Sequence, residues 1–121
     1  MPQPKRHVTL YHNPRCSKSR QTLELLRQQG IEPEIVEYLQ QPPSSKQLKT
    51  LLDMLGIGPR DLMRKKETAY LEAGLDDTTL SPAALIQAIS EHPILMERPI
   101  VVVDDKKAAI GRPPEKVLDI L

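Results

Sequence analysis

The chain has 121 residues with 17 Lys+Arg against 16 Asp+Glu, a formal charge of +1, and 39% apolar against 27% charged residues. That is one soluble globular domain with room for a core, and by total charge neither a strongly basic nucleic-acid binder nor an acidic solvating tail. One Cys excludes an intramolecular disulfide framework and a cysteine-only zinc site, and the longest aliphatic run, Ile100–Val103, is too short to span a bilayer.

Val8–Tyr11 reads as a first strand, and His12-Asn13-Pro14 breaks it. Asn13 suits a helix N-cap and Pro14 the first helical position. A helix is then expected from about Cys16 to Gln29, with Leu23 and Leu26 facing inward and Gly30 as its stop. A second strand follows over Glu34–Tyr38. Pro42-Pro43 closes that unit, and Ser44 with Gln47 has capping-box spacing. Leu48, Leu51, Leu52 and Leu55 then make the strongest helical stripe in the chain.

Gly56 and Gly58-Pro59 end that stripe, and short helical turns are expected at Asp61–Met63 and around Tyr70-Leu71. Ser81-Pro82 starts another helix, lined by Leu85, Ile86 and Ile89 and bounded by Pro93. Pro99–Val103 reads as a buried strand, Asp104-Asp105 as a turn, and Lys107–Ile110 as a return strand. Gly111-Arg112-Pro113-Pro114 breaks the chain before a last short helix carrying Val117, Leu118, Ile120 and Leu121. A β-α-β opening and a β-β-α ending give a four-stranded mixed sheet with helices packed on it. The fold class is therefore α/β: a single thioredoxin-like domain over residues 1–121, with a helical insertion at about 44–92 between its halves.

The even total charge hides an uneven distribution. No acidic residue precedes Glu24, while Lys5, Arg6, Arg15, Lys18 and Arg20 all do. The only Cys lies inside this basic stretch, at a helix start where free N–H groups and the dipole favour an anion. An ordinary thiol is only about 3% thiolate at pH 7. Both the helix start and the neighbouring cations are expected to lower the pKa of Cys16. The plain alternative is a free Cys acting as a small hydrophobe, but here position and charge agree on reactivity.

Position 19 is Ser, so a C-x-x-C pair is absent, and a second thiol must come from another molecule. Ser19 is a candidate hydrogen-bond donor to the thiolate, or a helix cap. Position 22 is Thr, so the C-x5-R phosphate loop of low-molecular-weight phosphatases is absent. Arg64, Arg98 and Arg112 are candidate oxyanion ligands, because the arginine fork pairs with tetrahedral anions. His12 lies four residues before Cys16 and suits an electrostatic or basic role. Three scattered histidines and one Cys form no metal cluster, and no phosphate-cradling glycine motif appears. No bound cofactor is expected. Met1–Arg6 carries no apolar stretch behind its charges, so no signal peptide is expected, and the expected compartment is the cytoplasm.

The segments Tyr11-His12-Asn13-Pro14-Arg15-Cys16-Ser17-Lys18-Ser19-Arg20, Leu62-Met63-Arg64-Lys65, Glu97-Arg98-Pro99-Ile100-Val101-Val102 and Gly111-Arg112-Pro113-Pro114-Glu115 resemble the glutaredoxin-type arsenate reductases. The match covers nearly the whole chain in order. The resemblance implies a thioredoxin-like fold in which Pro99 is cis. It implies that Cys16 attacks arsenate to form a covalent thioarsenate, that Arg64, Arg98 and Arg112 hold the oxyanion, and that His12 keeps the thiol ionised. It also implies glutathione as co-substrate and glutaredoxin as partner, with no nucleic acid and no membrane. Cys16-Ser17-Lys18-Ser19 and the end at Leu121 resemble a shorter subgroup, where other members read Cys-Gly-Thr-Ser and run longer. Two alternatives stand beside this reading. One is a monothiol, glutathione-linked oxidoreductase acting on another small substrate. The other is a non-enzymatic regulator of the Spx type, which shares the fold but carries the C-x-x-C that Ser19 removes here.

Overall fold

The computed structural model describes residues 7–121. Lys5 and Arg6 of the basic stretch, and the Met1–Arg6 segment read for a signal peptide, lie outside the described residues. The chain divides into two compact units, one formed by Met1–Glu37 with Arg98–Leu121, the other by Tyr38–Glu97.

The first unit holds the sheet. Its elements are β1 (Val8–Tyr11), α1 (Ser17–Gln28), β2 (Glu34–Val36), β3 (Ile100–Val103), β4 (Lys107–Ile110) and a closing 3₁₀ helix, Pro114–Ile120. The strand order is β2-β1-β3-β4. β1 runs parallel to β2, with Leu10 opposite Ile35, and antiparallel to β3, with Leu10 opposite Val101. β3 and β4 form an antiparallel hairpin. Its turn uses Asp104 and Asp105 at φ 55 and 53, the left-handed backbone that short hairpin turns require and Asp tolerates. β3 lies between β1 and β4 and is buried along all four residues. This is why Ile100–Val103 is a continuous aliphatic run and not an alternating one.

One face of this sheet is closed by α1 and the terminal 3₁₀ helix. Val8, Leu10, Leu26, Val101, Val103 and Val117 form the core, with Leu23, Leu25, Ile31 and Ile120 packed against it. Leu26 is fully buried as expected, while Leu23 is only partly so. The inner stripe of α1 is completed by Ser19 and Thr22, polar residues that are also buried. The last helix is 3₁₀ rather than α, and it follows Pro113 and starts at Pro114. β2 is shorter than expected: pairing stops at Val36, and Tyr38 belongs to the other unit.

The second unit is helical, with α2 (Ser45–Leu55), α3 (Thr68–Glu72), α4 (Pro82–Glu91) and 3₁₀ turns at Pro59–Leu62 and Pro93–Leu95. It contains the whole stretch expected as an insertion. The capping box is formed: Ser44 Oγ accepts from the Gln47 N–H at 3.2 Å, and Gln47 Oε1 accepts from the Ser44 N–H at 2.9 Å. Ser81 caps α4 by accepting from the Ala84 N–H at 3.1 Å. Leu48, Leu51 and Leu52 of the α2 stripe are buried, and α2 packs on α4. Arg60 ties α3 to the loop after it, donating to Tyr70 Oη at 3.1 Å, the Leu75 carbonyl at 2.7 Å and the Asp77 carbonyl at 2.6 Å.

The burial contrast gives a stability prediction. Leu26→Ala, at a fully buried site, is expected to cost about 2–5 kcal/mol in denaturant titration. Leu71→Ala, at a site 66% exposed, is expected to stay within about 0.5 kcal/mol.

Candidate active site

The link between β1 and α1 builds the site. His12 N–H donates to the Val36 carbonyl at 2.9 Å, so the chain leaves the sheet only after His12. The next three residues make a tight turn. The Asn13 side-chain oxygen accepts from the Arg15 N–H at 3.0 Å, and the Asn13 carbonyl accepts from the Cys16 N–H at 3.0 Å. Asn13 is therefore not the helix cap that its identity suggests. The turn delays the helix, and Cys16 occupies the cap position with extended φ −90 and ψ 124. Its carbonyl accepts the first helical bond, from the Arg20 N–H at 3.0 Å.

A Cys at this position puts sulfur where a capping Ser or Asp oxygen sits, facing the N–H groups of the first turn. The sulfur makes no conventional capping bond, yet those groups act on its ionisation. Burial alone would push the Cys16 thiol up. The Ser19 N–H, a hydrogen bond from the Arg98 side chain, the Lys18 N–H and the Arg98 charge together hold it below the ordinary thiol value. The side-chain charges of Arg15, Lys18 and Arg20, expected to share in this, are not among the causes. Lys18 contributes through its backbone.

Two of the three candidate arginines converge on the thiol. Arg112 Nη2 lies 3.8 Å from Cys16 Sγ, and Arg112 Nε donates to the Arg98 carbonyl at 2.7 Å. Arg98 lies just before Pro99, which leads into β3, and Arg112 directly follows Gly111 at the end of β4, so the β3–β4 hairpin brings both to the start of α1. Arg98-Pro99 is cis, as the resemblance implied, and so is Arg112-Pro113. Arg64 belongs to the second unit. There its Nε pairs with Glu67 at 3.2 Å and its Nη1 approaches Glu97 at 3.9 Å.

Ser19 does not use its hydroxyl on the thiol. Ser19 Oγ accepts from the Asn13 N–H at 3.0 Å and shares a 2.7 Å hydrogen bond with His12 Nδ1. What reaches Cys16 is the Ser19 backbone N–H. His12 is buried, and its ring bonds Ser19 rather than Cys16. Burial above all lowers its pKa; Glu37 opposes this, and Arg27 and Arg20 add to it. The lowered pKa favours the uncharged imidazole, and the ring fixes Ser19 and the turn.

Gly111 is a position that residue-by-residue reading overlooked. A Cβ there would lie 2.7 Å from Thr22 Oγ1 and 2.8 Å from Pro99 Cγ. The glycine lets the end of β4 close onto α1 and Pro99, and Arg112 is the next residue. The only sequence signal was its place beside Arg112. Asn13 was overlooked in another way, since Asn-Pro marks a turn as well as a cap.

A model of the ArsC family matches residues 11–120. The chain belongs to the ArsC family. The Escherichia coli K12 protein YfgD, uncharacterised by its name, is 56% identical over 117 residues, 96% of this chain and 98% of its own length. An arsenate reductase of Haemophilus influenzae is 53% identical over 115 residues, 94% of this chain and 98% of its own. The structure of an arsenate reductase from Vibrio cholerae superposes with a TM-score of 0.91 at 52% identity, covering 95% of this chain and 98% of that one. The sheet of this ArsC chain, with its helices, is the thioredoxin-like α/β fold expected. No helix among the described residues is long and apolar enough to cross a membrane.

Arg98→Met removes a hydrogen bond and a charge that both lower the Cys16 pKa, so the midpoint of its alkylation-versus-pH curve is expected to rise and its rate at pH 7 to fall. Ser19→Ala keeps the backbone N–H, so the midpoint is expected to move less. That variant strands the buried His12 ring nitrogen and the Asn13 N–H, at a cost of roughly 1–3 kcal/mol in stability. Gly111→Ala forces Thr22 or Pro99 to shift and moves Arg112 off the sulfur; slowed alkylation at pH 7 in a folded protein is the expected readout.

Proposed function

We propose that this ArsC-family chain is an arsenate reductase that uses Cys16 as its nucleophile, with glutathione and glutaredoxin as reductants. The observation that carries the reading is the convergence of Arg98 and Arg112 on a thiol whose pKa is held down. A thiolate beside two guanidinium groups suits a tetrahedral oxyanion, because the forks take up the negative charge that would otherwise repel the nucleophile. The relatives named as arsenate reductases support the substrate.

In the proposed sequence, the Cys16 thiolate forms an S–As bond to arsenate, and one arsenate oxygen leaves as water after protonation. Arg98 and Arg112 hold the remaining oxygens. The glutathione thiol displaces a second oxygen, again as water. A glutaredoxin thiolate then attacks the glutathione sulfur. The electron pair of the S–As bond passes to arsenic, which falls from the +5 to the +3 state, and a glutaredoxin–glutathione disulfide forms. Hydrolysis of the remaining Cys16–As bond releases arsenite and restores the thiol. The protein binds no cofactor in this scheme, and a reducing cytoplasm keeps its lone thiol ready. Arg64 enters as a substrate ligand on the family resemblance.

The test is coupled arsenate turnover with glutathione, glutaredoxin and NADPH-linked recycling. Cys16→Ser is expected to abolish it. Arg112→Ala is expected to lower kcat by about 10²–10³, the loss typical of removing one oxyanion-stabilising donor. Arg64→Ala in the same assay tests the third arginine. Full turnover by Cys16→Ser would defeat the proposal. Rapid deglutathionylation without arsenate turnover would replace it with a thiol oxidoreductase for another substrate.

A further inference from the structure

Arg15, Lys18 and Arg20 are exposed on the turn and first helical turn that carry Cys16. Among the described residues, the Arg15 and Lys18 side chains make no hydrogen bond or ion pair. Arg20 uses Nη1 on the Pro14 carbonyl, 2.9 Å away, and meets no carboxylate. Glu24, one turn along α1, does not pair with it.

Most lysines of the chain also lack a side-chain partner among the described residues, so what sets Arg15, Lys18 and Arg20 apart is their place around Cys16; the paired cations lie elsewhere. Further along the same helix Arg27 pairs with Glu32 at 3.1 Å, and Arg64 meets Glu67 and Glu97. The first turn of α1 has no acidic residue and carries Lys18, although a helix start favours anions over cations. Three uncompensated charges thus stand against the local helix electrostatics. The groups that hold the thiol pKa down are the Ser19 and Lys18 N–H groups and Arg98. The three exposed cations do not coincide with Arg98 and Arg112, which come from the β3–β4 hairpin.

The chain has one Cys, so whatever thiol resolves a Cys16 adduct arrives from solution. A fixed cationic rim raises the local concentration of anions and opposes cations. We propose that Arg15, Lys18 and Arg20 form a docking rim that selects a small, carboxylate-bearing thiol as the reductant that attacks the adduct held on Cys16. The inference rests on the reading of Cys16 as the covalent nucleophile, and it adds the residues that choose its thiol partner.

The test needs no arsenate, so its outcome is separable from that of the turnover assay. The full chain is loaded at Cys16 with thionitrobenzoate as a mixed disulfide. An attacking thiolate forms a new S–S bond to Cys16, and thionitrobenzoate leaves with the electron pair of the broken bond as a coloured thiolate. Rates are measured with glutathione (net negative), 2-mercaptoethanol (neutral) and cysteamine (positive), each corrected for its own thiolate fraction. The readout is the glutathione-to-cysteamine ratio, in which the intrinsic reactivity of Cys16 cancels.

Arg15→Gln, Lys18→Gln and Arg20→Gln are each expected to lower that ratio about two- to threefold, and together more. Added salt is expected to lower the wild-type ratio and to change the triple variant's little. The single Lys18→Gln variant keeps the test open if the triple variant does not fold, because the Lys18 backbone N–H survives. A ratio unchanged by Lys18→Gln and insensitive to salt would overturn the proposal.

Discussion

The first turn of α1, with its free N–H groups facing the sulfur of Cys16, is the constraint on which the rest of the site depends. A helix start is an unfinished structure, and its leading N–H groups need acceptors. Elsewhere in this chain Ser44 and Ser81 meet that need with hydroxyls. At α1 a thiol takes the place, and the unmet demand of the backbone becomes a pull toward thiolate. The Asn13-Pro14 turn makes this possible, because it delays the helix until Cys16 is the cap. The buried Ser19 hydroxyl then locks the turn by joining the Asn13 N–H to the His12 ring.

The arginines are placed by a different device. Arg98 and Arg112 flank the β3–β4 hairpin, and hairpin register fixes one against the other, since Ile100 lies opposite Ile110. The bond from Arg112 Nε to the Arg98 carbonyl orients one guanidinium with the backbone of the other residue. Gly111 supplies the close approach of this hairpin end to Thr22 of α1 and to Pro99. Sheet geometry brings the charge, and helix geometry presents the sulfur.

The cations of the chain fall into groups by what compensates them. Arg60 is absorbed by carbonyls and a tyrosine hydroxyl, Arg27 and Arg64 by carboxylates, and Arg98 and Arg112 are gathered at the thiol. Arg15 and Lys18 are left to solvent, and Arg20 meets only the Pro14 carbonyl and no carboxylate. A formal total near neutrality conceals this sorting, because the acids that balance the sum lie beyond residue 23. Total charge describes solubility, while the local pairing pattern describes recognition.

The sequence by itself determined the elements. Two serine caps, the leucine stripe of α2, the aliphatic run of β3 and the Asp104-Asp105 turn are local signals, and each was formed as read. It also determined that Cys16 stands at a helix start among cations, and that no second thiol exists in the chain. Tertiary structure decided what local signals leave open. Asn13 suits a cap and a turn equally, and only the path out of the sheet chose the turn. Ser19 looked outward to the thiol, but burial beside His12 turned its hydroxyl inward and left the backbone to act on sulfur. The nearby basic side chains looked like the cause of thiol activation, yet Arg98, which lowers the thiol pKa, and Arg112, which reaches its sulfur, come from some eighty to a hundred residues away in sequence. Spacing along a chain fixes what neighbours on one helix do. Which distant charge meets the sulfur depends on strand register and on the space that Gly111 leaves.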